Sequence, residues 1–294
     1  MQNFERLLEE CDFSSDLKTL VRECTQAAIN FYGSYCSIEN LHATQNIHGE
    51  NQKALDLIAD EIFTDALLKT KLCACISSEE REEAIISDGQ YSVCFDPLDG
   101  SSIIEANFAT GSIFGVYNAQ TPIGLTPSQQ VSSFYYIYGP NLVFVVSNGK
   151  KTFTAKYSEN DFEFYQNAPL ENQGVLAPAN LQAWFANGIQ DRLGAFLAQG
   201  LNMRYSGGLV ADVHMLISKS GGLFVRPRLS NVKPKLRLVY ECGPLAYIIE
   251  SLGGMSSNMQ ASILQQKITN LHQTTDFMVG SKDFVETWNS YENR

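Results

Sequence analysis

The most informative segment of this 294-residue chain runs Cys94-Phe95-Asp96-Pro97-Leu98-Asp99-Gly100-Ser101-Ser102. The apolar run Tyr91–Phe95 that leads into it predicts a buried strand. Pro97 has no backbone N–H, so we expect the hydrogen-bond ladder of the strand to stop there and the chain to open into a loop. Gly100 permits a tight turn, and Ser101 and Ser102 offer the hydroxyl and N–H donors that a phosphate group needs.

Four carboxylates lie within this segment or shortly before it. Asp96 and Asp99 bracket the turn, and Glu79 and Glu80 end a neighbouring predicted strand. Carboxylates that converge at strand ends repel one another unless cations neutralise them, and oxygen ligands beside a phosphate favour Mg²⁺. The alternative is a solvated acidic loop, which two aspartates three residues apart would not exclude. The longer motif, together with the upstream glutamate pair, favours a metal site.

The composition bounds the class of protein. Hydrophobic residues make up 44% and charged residues 18%, which is typical of a globular protein with a substantial core. The net charge of −11 argues against nucleic acid as a partner. No apolar run approaches the ~18 residues of a membrane helix, so no membrane partner is expected. The seven cysteines contain no CxxC pair, which argues against zinc and disulfides and favours a reduced, cytoplasmic location.

The first half of the chain begins with helical periodicity and then changes to short apolar runs. The periodicity predicts a helix that starts at Ser14 or Ser15 and ends near Gly33, and a second helix over Asn51–Lys69. The apolar runs predict strands, and Asn148-Gly149 predicts a hairpin between two of them. Residues 160–180 are the least regular part of the sequence, and we expect a domain boundary there.

The second half alternates between predicted helices and strands, which indicates layered α/β packing. The helices are expected near Ile189–Gln199, Ala211–Ser218, Gly243–Ser251 and Lys282–Asn289, and the strands near Asn202–Tyr205, Leu223–Val225, Lys235–Val239 and Phe277–Val279. The boundary predicts an N-terminal α/β domain over residues 1–172, with most of the metal ligands, and a C-terminal α/β domain over residues 173–294.

The ordered motifs resemble the sugar bisphosphatase family, which contains class 1 fructose-1,6-bisphosphatases and sedoheptulose-1,7-bisphosphatases. More distantly they are similar to inositol monophosphatases. The matching segments beyond those quoted above are Gly49-Glu50, Leu55-Asp56, Gly111–Val116, Arg204–Val213, Lys235–Glu241 and Gly280–Lys282. The resemblance implies an α/β (α+β) fold, a layered α-β-α-β-α sandwich. It also implies magnesium-dependent hydrolysis of the 1-phosphate of a ketose bisphosphate.

The resemblance assigns roles to individual residues. The implied metal ligands are Glu79, Glu80, Asp96, the Leu98 carbonyl, Asp99 and Glu241, and the implied catalytic residues are Glu50, Asp56 and Glu79. The implied substrate-binding residues are Asp99, Gly100, Ser101 and Ser102 at the reacting phosphate, and Asn180, Arg204, Tyr205, Arg226 and Lys235 toward the remote phosphate. Glu50 and Asp56 are six residues apart, which does not put them on one helix face, so a structural role stays open for one of them.

The resemblance also concerns cofactors and assembly. It implies two or more Mg²⁺ ions per subunit, for which Mn²⁺ can substitute, and a homo-oligomer, either a dimer or a tetramer. In the family, the arginine matched by Arg204 reaches in from a neighbouring subunit. The alternative for Arg204 and Lys235 is a solvated surface cation, and only their motif context favours a binding role.

Several departures from the fructose enzyme pattern favour sedoheptulose 1,7-bisphosphate as the substrate. Ile103 follows Ser101-Ser102 where the fructose enzymes have asparagine, and the double glycine Gly207-Gly208 is similar to the sedoheptulose enzymes. Arg226 replaces a tyrosine that contacts the remote phosphate. Of the fructose family's Asn-Glu-Gly-Asn motif only Asn180 remains, so the resemblance does not cover the rest of that segment. Fructose 1,6-bisphosphate remains the close alternative.

A further alternative is a protein that binds sugar phosphates without catalysing a reaction. A catalytically silent sugar-phosphate sensor could share this fold, although the complete carboxylate set argues against it.

Many fructose bisphosphatases are inhibited by AMP through a basic site, but Gln90 and Asn118 occupy the positions of its expected lysine and arginine. AMP is therefore expected to inhibit weakly or not at all. Cys36 lies near the position of the first of the two regulatory cysteines of the chloroplast enzyme, but the next cysteine in this chain is Cys73. Thioredoxin control is therefore not expected.

Overall fold

A computed structural model describes the backbone of residues 1–42 and 48–292 and the side chains of residues 1–34 and 54–291. In these ranges the helices are α1 (Gln2–Glu10), α2 (Ser15–His42), α3 (His48–Thr70), α4 (Leu181–Ala186), α5 (Gln190–Ala198), α6 (Leu209–Ser218), α7 (Gly243–Ser251) and α8 (Lys282–Glu292). No described helix is both long and apolar enough to cross a membrane.

The strands form two principal sheets. The first eight are β1 (Cys73–Ser78), β2 (Ile85–Ile86), β3 (Tyr91–Asp99), β4 (Thr110–Tyr117), β5 (Gln130–Tyr138), β6 (Leu142–Ser147), β7 (Thr152–Ser158) and β8 (Asp161–Gln166). The others are β9 (Glu171–Pro178), β10 (Asn202–Met203), β11 (Gly221–Arg226), β12 (Leu236–Arg237), β13 (Met255–Ser257), β14 (Thr274–Thr275) and β15 (Phe277–Gly280).

The larger sheet has the strand order β2-β1-β3-β4-β5-β6-β7-β8, and the smaller has β10-β9-β11-β15-β13. In the larger sheet only the β1–β3 pair is parallel, and the remaining neighbours are antiparallel. In the smaller sheet β10, β9 and β11 run parallel, while β15 is antiparallel to both β11 and β13. Strands β12 and β14 form a short separate ribbon.

Side chains alternate between the two faces of each sheet and so create three apolar layers. On β5, Phe134 and Tyr136 face a core shared with α1, α2 and α3, whereas Tyr135 faces a core shared with α6 and α7. On β11, Phe224 faces that same middle core, and Leu223 faces a third core with α4, α5 and α8. The order of layers is helix, sheet, helix, sheet, helix, so the sandwich expected from the motifs is confirmed.

Local predictions in the first half were correct where the sequence signal was strong. Ser14 begins α2, since its hydroxyl accepts the Leu17 N–H at 3.2 Å. The Asn148-Gly149 hairpin is confirmed by the antiparallel pairing of β6 with β7. The predicted end of α2 near Gly33 is wrong, because the helix continues to His42. Gly33 costs the helix stability but does not stop it, since it lacks the left-handed backbone of a terminating glycine.

Two other predictions were wrong. Residues 160–180 are not irregular, because they hold β8 and the whole of β9. The strand predicted over Lys235–Val239 is only two residues long, and a π-helical turn over Leu238–Cys242 follows it.

The six cysteines with described side chains are buried and free, as expected of a chain without disulfides.

Candidate active site

The parallel pairing of β1 with β3 brings the acidic segments together. Ser78 pairs with Phe95, and the Glu79 N–H donates to the Phe95 carbonyl at 3.0 Å. Glu79, which directly follows β1, and Asp96 in the neighbouring β3 therefore lie next to each other at the carboxyl end of β1. Two of the four carboxylates that the sequence predicted to converge, Glu79 and Asp96, thus lie close together.

Strand β3 does not stop at Pro97, which corrects the expectation that the chain opens into a loop there. Asp96 pairs with Ile113 and Asp99 pairs with Gly111, so β3 uses one residue more than β4 in this interval. A β-bulge of this kind re-aims side chains without ending the strand. The bulge is held by the Asp96 Oδ1 atom, which accepts the Leu98 N–H at 2.9 Å.

Glu241 completes an acidic cluster with Glu79 and Asp96. Each residue contributes one carboxylate oxygen, and the three atoms lie within 4.8 Å of one another. Glu241 stands on the π-helical turn after β12, and both it and Asp96 are buried. A π-turn inserts one extra residue into helical geometry, and such turns are frequent at functional sites.

Burial and mutual repulsion raise the pKa values of this cluster. Burial raises the pKa of Asp96 well above its usual range, and the neighbouring Glu79, Asp99 and Glu241 carboxylates raise it further. Burial likewise raises the pKa of Glu241, with Glu79 as the next cause. Carboxyl groups this close favour protonation or a bound cation. Three converging oxygen ligands fit a hard divalent cation such as Mg²⁺.

Asp99 joins the cluster to the start of α6. Its Oδ2 atom accepts the Val210 N–H at 2.6 Å, and the Leu209 N–H is a second donor. Burial nevertheless raises the pKa of Asp99 to about 7. Asp99 is followed by Gly100, whose φ of 83° lies in the left-handed region that favours glycine.

Asp56 lies on α3 beside the phosphate-loop candidate Ser101. The Ser101 side chain hydrogen-bonds to the Asp56 carboxylate, while burial and then the Glu80 charge raise the pKa of Asp56 to about 7. Glu80 thus stands next to Asp56 and not within the group of three carboxylates. Glu50, the other predicted acidic residue of this helix, lies outside the residues whose side chains are described.

A cavity of about 280 Å³ is lined by both acidic and basic side chains. The carboxylates Glu79, Asp99 and Glu241 line it, and so do the cations Arg226 and Lys235. Its other lining residues are Ala179, Tyr205, Gly207, Leu209, Asp212, Phe224 and Leu236. The lining of this cavity therefore combines several carboxylates, which suit a divalent cation, with two basic side chains, which suit an anionic group.

Comparison with known proteins identifies the family. The N-terminal domain model of fructose-1-6-bisphosphatase matches residues 2–167, and the C-terminal domain model matches residues 168–293. The chain belongs to the fructose-1,6-bisphosphatase family. This family consists of metal-dependent phosphatases that hydrolyse sugar bisphosphates, and the resemblance inferred from the motifs is confirmed.

Curated members of the family carry both substrate names. The chain is 36% identical over 252 residues to a chloroplastic sedoheptulose-1,7-bisphosphatase of Triticum aestivum, covering 83% of this chain and 64% of the wheat protein, which is under two thirds of its length. It is 34% identical over 242 residues to a class 1 fructose-1,6-bisphosphatase of Helicobacter hepaticus, covering 81% of this chain and 85% of that protein.

A solved structure of the family has the same fold. Fructose-1,6-bisphosphatase of Leishmania major, in its holo form, superposes with a TM-score of 0.87 at 26% identity, and the match covers 99% of this chain and 98% of that one.

Two of the residues that the family match assigns to the remote phosphate lie away from the cavity lining of the same chain. Arg204 is exposed, and its guanidinium donates to the Met203 carbonyl at 2.8 Å. It lines a separate, mostly apolar hollow with Phe108 and Met215. Asn180 has a left-handed backbone at the start of α4, and its side chain donates to the Pro227 carbonyl at 2.8 Å.

Sequence reasoning gave no role to three polar residues near the cavity. Arg237 is the second residue of β12, and its Nε atom lies 3.6 Å from a Glu79 oxygen. Asp212 lies in the first turns of α6 within the matched segment Arg204–Val213, so its motif could have signalled it. Asp276 had no sequence signal, because only the fold brings it to within 3.1 Å of Arg228.

Proposed function

We propose that this protein hydrolyses the 1-phosphate of sedoheptulose 1,7-bisphosphate in a magnesium-dependent reaction, releasing sedoheptulose 7-phosphate and orthophosphate. Fructose 1,6-bisphosphate, which would yield fructose 6-phosphate, is the close second candidate substrate. The observation that carries the proposal is a single cavity with a carboxylate cluster and two cationic side chains in its lining. That charge pattern suits a molecule with one reacting phosphate and one remote phosphate.

Glu79, Asp96 and Glu241 are the residues that would hold Mg²⁺, with Asp99, Glu80 and the Leu98 carbonyl as further ligands. When bound, Mg²⁺ supplies Lewis-acid polarisation of the phosphoryl oxygens and charge stabilisation of the leaving group. Family membership supports metal dependence, and two or more ions per subunit, with Mn²⁺ as a substitute, are part of the proposal. The buried carboxylates need such a cation, because their mutual repulsion otherwise opposes ionisation.

Asp56, Glu79 and Glu50 are proposed to orient and deprotonate the attacking water. Support for Asp56 comes from its hydrogen bond to Ser101, which belongs to the loop proposed to hold the reacting phosphate, so its carboxylate lies within reach of a water beside that phosphate. Gly100, Ser101 and Ser102 are proposed to bind the reacting phosphate. Their position directly after Asp99 would put donors beside the acidic cluster.

Lys235 and Arg226 are proposed to bind the remote phosphate, with Tyr205 beside them. Arginine can donate two N–H groups to one phosphate, whereas lysine acts as a point charge. Arg226 stands where the fructose enzymes have a tyrosine, and this extra cation supports a preference for the longer sugar. The 36% identity to the wheat sedoheptulose enzyme supports the same preference, while relatives named as class 1 fructose enzymes keep the second candidate open.

Arg204 is proposed to serve the neighbouring subunit of a homo-oligomer, either a dimer or a tetramer. Its side chain is exposed and lines a hollow other than the cavity of its own chain, which supports a contribution in trans. Asn180 is proposed to act on the remote phosphate site indirectly, because Tyr205 hydrogen-bonds to its backbone.

The deciding experiment compares kcat/KM for the two bisphosphates, with and without Mg²⁺. We expect phosphate release from both, with the higher kcat/KM for sedoheptulose 1,7-bisphosphate. A higher value for fructose 1,6-bisphosphate would reverse the substrate order. No release from either substrate at saturating Mg²⁺, with binding retained, would favour a silent sugar-phosphate sensor.

A further inference from the structure

Asp212 is a fully buried carboxylate that the proposed chemistry does not use. It lies on α6 and has no exposed surface. A buried carboxylate destabilises a fold unless hydrogen bonds compensate for the lost water. At Asp212 the compensation comes from one short segment of chain, Ser206 and Gly207.

Both carboxylate oxygens accept backbone N–H groups from that segment. Oδ1 accepts the Ser206 N–H at 2.7 Å, and Oδ2 accepts the Gly207 N–H at 3.3 Å. The Ser206 side chain also hydrogen-bonds to the carboxylate, and its Oγ atom accepts the Gly208 N–H at 3.2 Å. Asp212 therefore fixes the backbone of the turn that precedes its own helix.

This turn carries part of the cavity wall. Tyr205 and Gly207 line the cavity together with Asp212 itself, and Tyr205 stands beside Arg226 there. The same helix start binds the metal-ligand candidate Asp99 through the Val210 N–H at 2.6 Å. The first turns of α6 thus connect a group at the reacting end of the cavity with a wall segment toward the remote phosphate.

We propose that Asp212 is a positioning residue, which holds the Tyr205–Gly208 turn in the register that binds the remote part of the substrate. This inference rests on the proposed function of the cavity. An asparagine at this position keeps the shape but presents an N–H group to a backbone N–H donor, so the turn has to move. Because remote binding is similar in the ground state and the transition state, its loss raises KM more than it lowers kcat.

The test uses Asp212→Asn with Glu250→Gln as the matched control. Glu250 also accepts a backbone N–H and a hydroxyl, both from Ser256 of β13, but it does not line the cavity. We expect Asp212→Asn to raise KM about tenfold, with kcat within threefold of the wild-type value, and Glu250→Gln to leave both unchanged. Calorimetry should show about tenfold weaker binding of the ketose monophosphate product and unchanged binding of inorganic phosphate.

Three outcomes would overturn the inference: an unchanged KM, equal weakening of product and inorganic phosphate, or the same effects in Glu250→Gln. If Asp212→Asn does not fold, Ser206→Ala tests the same turn, because it removes only the hydroxyl that contacts Asp212 and Gly208. We expect that variant to raise KM threefold to fivefold, and an unchanged KM would overturn the inference. A wild-type enzyme without activity on either bisphosphate would instead contradict the proposed function.

Discussion

The side chain of Ile103 packs against Gly208, and a Cβ atom added to Gly208 would stand 3.0 Å from the Ile103 Cδ1 atom. A Cβ atom added to Gly207 would likewise lie 3.3 Å from the Ile103 Cγ2 atom. Ile103 and the double glycine are two of the departures from the fructose enzyme pattern, and they are distant in sequence. In the structure they form one packing unit between the phosphate loop and the start of α6.

This contact predicts a coupled pair of substitutions. Gly208→Ala should destabilise the protein by about 1–2 kcal/mol, because the new methyl group crowds Ile103 and alanine is a poor helix N-cap. In an Ile103→Val background, where Cδ1 is absent, we expect the same change to cost about 0.5–1 kcal/mol less. Denaturant unfolding of the wild type, both single variants and the double variant measures the coupling. Strictly additive costs would show that the two residues do not constrain each other.

The acidic cluster predicts opposite effects on apo stability and on activity. Asp96→Asn removes a charge but keeps an oxygen for the Leu98 N–H, so the fold should stay intact. Without metal the variant should be more stable than the wild type near neutral pH, because the wild-type Asp96 must either bury a repelled charge or take up a proton that the unfolded chain does not hold. With Mg²⁺ at 100 times its Kd, the wild type should gain about 2.7 kcal/mol and the variant much less.

Turnover provides the second measurement for this variant. We expect kcat to fall by more than tenfold, which is about 1.4 kcal/mol of barrier. Asp88→Asn, a change of an exposed carboxylate in the loop between β2 and β3, is the control and should alter neither quantity. An Asp96→Asn enzyme that keeps over a tenth of the wild-type kcat would contradict the metal assignment.

The raised pKa of Asp56 predicts how apo stability changes with pH. Its pKa is about 7 in the folded chain, against an ordinary value of 3.8, so the folded state holds a proton that the unfolded state releases in this range. Stability from this group is therefore present below about pH 4 and is lost as the pH rises through about 7. Asp56→Asn should remove this loss, which is about 1–2 kcal/mol after allowance for solvent screening.

Unfolding in EDTA at pH 5 and pH 8 tests this prediction. Asp65→Asn, an exposed change on the same helix, is the matched control and should leave the pH dependence as in the wild type. The prediction is wrong if Asp56→Asn and Asp65→Asn show the same difference between the two pH values.

The basic side chains in the cavity lining predict an effect on binding. Lys235→Ala should raise KM about tenfold for both bisphosphates and leave kcat within threefold, because the remote phosphate is held similarly before and during reaction. Arg226→Ala should raise KM more for the sedoheptulose substrate than for the fructose substrate. Lys233→Ala, an exposed lysine outside the cavity lining, serves as the control. An unchanged KM in Lys235→Ala would mean that Lys235 is a surface cation.

Sequence reasoning succeeded where the signal is local and failed where packing decides. Asp96 and Asp99 are recognisable because Asp96 precedes a proline, Asp99 precedes a glycine, and an apolar run leads into both. The π-helical turn that carries Glu241 left no comparable signal, because its extra residue is stabilised by packing between the two sheets. For Arg204 only the family resemblance implied a side chain directed toward a neighbouring subunit, because no local pattern fixes the direction of an exposed side chain.

The residues at the positions of the family's AMP site predict that AMP inhibits this protein weakly or not at all. The Gln90 amide donates to the Asn118 side chain at 3.0 Å, so the two neutral residues that replace the expected cations bind each other. They line a cavity of about 450 Å³ together with Tyr91, Asp12 and Lys150. A phosphate with about two negative charges needs cationic or N–H donors, and the Asp12 carboxylate in this lining opposes it.

Two basic residues on α2 could have replaced the missing pair, but both hold glutamates. Lys18 pairs with Glu9 at 2.6 Å, and Arg22 pairs with Glu5 through two hydrogen bonds of 2.8 Å. Titration of activity with AMP at saturating Mg²⁺, with adenosine as the phosphate-free control, should therefore give no half-inhibition in the micromolar range. Micromolar inhibition by AMP but not by adenosine would mean that another donor, with Lys150 the first to substitute, binds the phosphate in this cavity.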